Sequence, residues 1–156
     1  MALSFKLKST LDGASPGFEK LIQKAVDIDR GLKDYTIPLK ESAADIKVFT
    51  QTDVFDTEGG ALGNPWKKLS DNYGLWKQAN YPGMKKLQLT RTMKQKFKIR
   101  SGKRKATVFN TDKKFPWHQL GTSRMPQRQS LGINSKVVNL VEDRFENYLN
   151  KLLEKS

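Results

Sequence analysis

Lys98-Ile99-Arg100-Ser101-Gly102-Lys103-Arg104-Lys105-Ala106-Thr107-Val108-Phe109-Asn110 is the stretch on which the fold turns. Ser101-Gly102 opens a basic turn, and Thr107, Val108 and Phe109 beyond it favour extended backbone. This pattern predicts a β-hairpin, or two adjacent strands of a sheet, over 98–110. Around it the chain reads mostly as helix. Upstream, Phe18, Leu21, Ile22, Ala25, Ile28 and Leu32 share one face of a 3.6-residue period, with Gly31 weakening its end. Leu39, Ala43, Ile46 and Phe49 form the stripe of a second helix, with Thr36 as N-cap and Pro38 in its first turn. Downstream, Val138, Val141, Phe145, Tyr148, Leu149 and Leu152 predict the clearest helix, over 135–154, capped by Asn134 or Ser135.

Shorter signals fill the remainder. Leu3, Phe5 and Leu7 alternate with Ser4, Lys6 and Lys8, as a strand over 3–8 would. Thr57-Glu58-Gly59-Gly60-Ala61-Leu62-Gly63-Asn64-Pro65 has the composition of a mobile loop, over 57–65. Short helices are expected over 70–77, capped by Ser70 or Asp71, and over 90–97, capped by Thr90. Phe115 to Ser123 is compact and aromatic, and 124–132 is irregular. Strands do not alternate regularly with helices, which argues against a parallel sheet. The expected fold is a single α+β domain: a small antiparallel sheet packed against two or three long helices.

A chain of 156 residues can bury one core but not two. Its mean hydropathy of −0.67, without an apolar run of the roughly 20 residues a membrane span needs, indicates a soluble protein with no membrane partner. The N-terminus lacks the basic segment, apolar block and cleavage site of a signal peptide, so cytoplasmic residence is expected. With no cysteine, disulfides, thiolate zinc sites, iron–sulfur clusters and cysteine nucleophiles are excluded. The net charge is +13, and its distribution is uneven. From Lys67 to Lys105, thirteen Lys and Arg face one acid, Asp71, so this stretch alone carries 13 − 1 = +12. Such a field suits a polyanionic neighbour, either nucleic acid or an acidic protein surface; a solvated basic face is the plainer alternative.

The chemical signals are few. His118 is the single histidine; no nucleophile or metal-ligand spacing accompanies it, and the nearest acid in sequence is Asp112. A structural imidazole, bonded to backbone beside Trp117, is the expectation. The glycines of 57–65 lack the Lys-Ser/Thr and the preceding buried strand of a phosphate-binding loop. Trp66, Tyr73, Trp76, Tyr81 and Phe97 interleave with the basic residues, as in a single-stranded nucleic-acid binder, but would serve equally as core. No RNA-recognition, KH or zinc-finger spacing is present. Neither catalysis nor a cofactor is expected.

Four segments together resemble the phage virion morphogenesis (tail-completion) family, the group that includes the Mu-like morphogenesis protein. They are Trp66-Lys67-Lys68-Leu69-Ser70 with Tyr73, Leu87-Gln88-Leu89-Thr90-Arg91-Thr92-Met93, His118-Gln119-Leu120-Gly121-Thr122, and Met125-Pro126-Gln127-Arg128-Gln129-Ser130-Leu131-Gly132. They stand in the family's order over 66–132. Arg91 replaces a frequent glycine, Leu120 an aromatic, and Gln129-Ser130 a Pro-Phe pair.

The resemblance implies a non-catalytic virion protein, assembled in the host bacterial cytoplasm, that completes the head-proximal end of the tail. A homo-oligomeric neck ring, six-fold, around the DNA channel is implied, with tail-tube or tail-terminator and head–tail connector proteins as partners. A basic lining that meets double-stranded DNA without reading bases suits such a ring. Gly59 and Gly60, with Arg100, Lys103, Arg104 and Lys105, are the candidate subunit or DNA contacts. The motif residues Trp66, Leu69, Ser70, Tyr73, Leu89, Thr90, Trp117, His118, Gln119, Gly121, Pro126, Arg128 and Gly132 are expected to hold the fold. A nucleic-acid-binding protein using 67–105 is the alternative.

Overall fold

The hairpin forms as its residues predict. Phe97–Ser101 (β1) and Ala106–Asn110 (β2) pair antiparallel, with Ile99 opposite Val108 and Ser101 opposite Ala106. The Gly102 amide closes the turn by donating to the Lys105 carbonyl (2.8 Å). Alternation places Phe97 in the core with Ile99 half-buried on the same face, and leaves Lys98 and Arg100 exposed on the other. The structure, a computed structural model, describes residues 16–155. The strand expected over 3–8 lies outside them.

Among the described residues, six α-helices accompany the sheet: α1 (Pro16–Lys33), α2 (Thr36–Phe49), α3 (Asp71–Asn80), α4 (Thr92–Gln95), α5 (Phe115–Leu120) and α6 (Ser135–Lys155). The fold is α+β, as expected. The central helix, α2, packs on the hairpin and on α6, while α1 packs on α6. Tyr35, not Thr36, occupies the cap position of α2, and the Thr36 amide is satisfied by the Asp34 carboxylate (2.9 Å). Past Phe49, a π-helical turn, Thr50–Val54, carries the chain on, with the Phe55 amide bonding back five residues to Thr50. The wider turn returns Val54 toward the face used by Phe49, and Val54 and Phe55 are fully buried. Phe55 meets Trp66 edge-on (5.2 Å between centroids) and Phe97 at 6.0 Å; Phe97 in turn meets Phe115 at 5.5 Å. This file of crossed rings, with Met93 and Val137, is the core.

Three expectations need correction. The helix expected over 90–97 shrinks to α4, after Arg91 at φ +55°, so Thr90 is not its cap. Pairing of Phe97 with Asn110 draws the chain into the sheet instead. In α6, Val141, Phe145, Tyr148 and Leu152 are half-buried as predicted, but Val137 is buried in place of Val138, which is 41% exposed, and Leu149 is exposed too. Asn134, whose Oδ1 accepts the Val137 amide (3.0 Å), caps the helix and fixes where it starts. Finally, 57–65 is not a loose loop. The Gly59 amide donates to Val54, the Ala61 amide to the Thr57 hydroxyl and the Trp66 amide to Glu58, around a 3₁₀ turn at Gly60–Leu62. Gly59 is buried at φ +88°; a Cβ there would stand 2.5 Å from the Asn64 carbonyl oxygen and from Trp66 Cδ1. Only glycine fits.

Candidate functional site

Three of the four motif segments, remote in sequence, are bonded to one another, and the one beginning at Leu87 lies against them. Trp66 is buried, and its indole Nε1 donates to the Gln129 carbonyl (2.7 Å). The Gln119 side chain clamps the same segment: Nε2 donates to the Leu131 carbonyl (2.7 Å), and Oε1 accepts the Ser130 and Leu131 amides (3.0 and 3.1 Å). Arg128 reaches the other way, donating from Nε to the Lys67 carbonyl (3.1 Å) and from Nη2 to that of Lys68 (2.9 Å). Its own amide donates to the His118 carbonyl (2.7 Å). Gly121 allows this closeness, since a Cβ would meet the Gln127 nitrogen at 2.9 Å. At Gly132 a Cβ would stand 2.8 Å from Gln129 Nε2.

Between these segments opens a cleft of about 610 Å³, to which Leu69, Ser70, Tyr73, Leu89, Thr90 and Pro126 contribute. His118 lines it as well. The imidazole does not make the backbone bond expected of it: Nδ1 is buried without a hydrogen-bond partner among the described residues. Burial, then the charges of Arg128 and Lys114, hold its pKa below the ordinary histidine value and keep the ring neutral. Trp117, expected to hold the fold, is 53% exposed, because α5 turns Phe115 rather than Trp117 into the core.

Lys77, in the cleft lining, was not singled out by sequence. Lys77 of α3 is buried, and its Nζ donates to the Lys85 carbonyl (2.6 Å). Burial lowers its pKa, which the charge of Glu58 opposes. Glu58 accepts the Lys86 amide (2.6 Å) and Lys86 Nζ (2.8 Å), and these bonds outweigh its own burial to hold its carboxyl below the usual range. Nothing in the local pattern marked Lys77, since its burial follows from how α3 seats against the turn at 81–88.

The other candidates occupy a separate surface. Arg100, Lys103, Arg104 and Lys105 are all exposed, with the Arg100 guanidinium 5.7 Å from the centre of the Phe109 ring. The Lys103 carbonyl accepts the Tyr35 amide (2.9 Å), which ties the hairpin tip to the α1–α2 corner. Gly60 is exposed, but Gly59 is buried and cannot make a contact. On α3 and just after it, Tyr73 stacks on Trp76 (5.6 Å between centroids), which Tyr81 meets at a tilt of 57° (5.7 Å), and all three are exposed rather than core. Among the described residues, no three histidine or acidic side chains cluster to hold a metal ion, and no helix is long and apolar enough to cross a membrane. Comparison of the chain with family models, with curated proteins and with solved structures gives no match.

Proposed function

We propose that this chain is a non-catalytic structural subunit of a tailed bacteriophage virion, completing the head-proximal end of the tail within a neck ring. The observation that carries the reading is the bonding of Trp66, Gln119 and Arg128 across three of the four motif segments, with the fourth, through Leu87, Leu89 and Thr90, lining the cleft between them. Residues that resemble the tail-completion family in sequence order are here the ones that tie remote backbone together. That is the role such residues need on a shared scaffold. The exposed aromatic cluster at Tyr73, Trp76 and Tyr81 supports an assembly role, since such rings serve as anchors in protein interfaces.

A nucleic-acid-binding reading is favoured by one further observation. Lys98, Arg100, Lys103, Arg104 and Lys105 stand exposed on the hairpin with no carboxylate in ion-pair contact among the described residues, Asp34 acting on Lys103 from farther off. In a ring, the same surface would line the DNA channel.

Electron microscopy of lysates from a phage lacking the gene separates the two. Filled heads beside unjoined or mis-terminated tails are the expected result. Normal joined particles would overturn the assembly reading in favour of DNA binding by the hairpin.

A further inference from the structure

The cleft lining carries four Lys and Arg side chains against one acid. Lys77, Lys114, Arg124 and Arg128 line it, and none forms an ion pair among the described residues. Elsewhere the acids are spent on other bases: Glu58 on Lys86, Asp56 on Lys94, Asp53 on Lys136 and Asp45 on Arg144. Asp112 is the single acid in the lining, and it is engaged by Lys96 and by the Lys114 amide.

Lys77 and Arg128 are each only 5% exposed, with backbone carbonyls as their partners. The charge of Glu58 reaches both, but that carboxylate is in contact with Lys86 and with neither of them, so an arriving anion would offset the remaining cost of their burial. Between the charges the lining is apolar: Leu69, Leu87, Leu89, Met93, Met125 and Pro126. At about 610 Å³ the cleft falls within the roughly 300–1,000 Å³ typical of ligand sites.

We propose that this cleft docks a short acidic, leucine-type segment of a protein partner. Its carboxylates meet Lys114 and Arg124 at the mouth, above the buried charges of Lys77 and Arg128. Its apolar side chains cover the Leu–Met lining, beside the ring of His118. Methionine suits such a surface because its flexible thioether adapts to the guest. DNA fits less well: a duplex is convex and offers phosphates without apolar side chains, so the lining would stay wet. The convex hairpin is the better match for DNA. The cleft's chemistry holds whether or not the chain sits at a neck.

The test uses the full chain and a fluorescein-labelled peptide of alternating glutamate and leucine, read by anisotropy. Binding is expected, with shifts of the His118 imidazole resonances on titration. The glutamate–serine and lysine–leucine peptides should not bind. Lys114→Glu combined with Arg124→Glu, both exposed, should weaken binding more than about tenfold, because like charges then face the guest. Lys103→Glu combined with Arg104→Glu makes the same change in net charge and should leave affinity within about twofold, since the hairpin is a separate surface. No binding of the glutamate–leucine peptide, equal binding of the glutamate–serine peptide, or equal loss from the hairpin pair would each overturn the proposal. So would displacement of the peptide by a short duplex whose own binding depends on Lys114 and Arg124.

Discussion

Gly121 stands at φ +77°, ψ +169°, a region closed to residues with a Cβ. Its backbone also approaches Gln127 so closely that an added methyl would collide with main chain rather than with a yielding side chain. Gly121→Ala is therefore expected to destabilise by about 2 kcal/mol, read as a lower urea midpoint at unchanged slope. At His118 the sign of the pH effect follows from its lowered pKa. The unfolded chain takes up the imidazole proton first, near the ordinary value of 6.5, while the folded chain resists it. The stability contributed by the neutral ring is complete above that pH and is lost as pH falls through the folded value. Urea midpoints of wild type and His118→Gln should therefore converge on acidification through this range. A constant gap would show that the imidazole does not titrate differently on folding. Gly121 was legible beforehand from its place in a motif, as was the clamp residue Gln119. Lys77 was not, because an isolated lysine on a short helix carries no local sign that it will be buried.

Among the elements, α6 shows how a cap selects between adjacent valines. Val137 and Val138 both suit an apolar face, and periodicity alone favoured Val138. Asn134 fixes the start by accepting the Val137 amide, and its Nδ2 donates to the Ala61 carbonyl (2.9 Å). One side chain thus joins the helix to the glycine-rich turn. Asn134→Ala should cost about 1 kcal/mol for the lost cap. Faster amide exchange is expected at both the first turn of α6 and Gly60–Leu62, whereas a cap effect alone would appear only in α6. The hairpin and the long helices were readable because each carries a complete local pattern. The π-helical turn after α2 was not, because it arises from burying Val54 and Phe55 together with Phe49. The turn at 57–65 was misread for a related reason. Its glycines gave it a loop's composition, but they serve backbone bonds and close contact with Trp66.

Across the whole molecule, the +12 stretch divides into different environments. Lys77 is buried, Lys86, Lys94 and Lys96 pair with acids from elsewhere in the chain, and the hairpin lysines and arginines stay free of such pairs among the described residues. A duplex held by the hairpin would release counter-ions in proportion to the phosphates met, about 0.9 in log–log slope for each. Lys103→Gln, Arg104→Gln and Lys105→Gln together should lower the salt dependence of duplex binding by about 3 in that slope. An unchanged slope would move the DNA contact off the hairpin. The sequence by itself determined the α+β class, the hairpin, the long helices and the segments carrying the family resemblance, since these rest on periodicity, turn chemistry and residue order. Only the tertiary structure decided which cations are buried, which aromatics are exposed and that the four motif segments enclose a cationic cleft. Those outcomes depend on which distant backbone carbonyls, carboxylates and rings come within a few ångströms, and no local pattern encodes that.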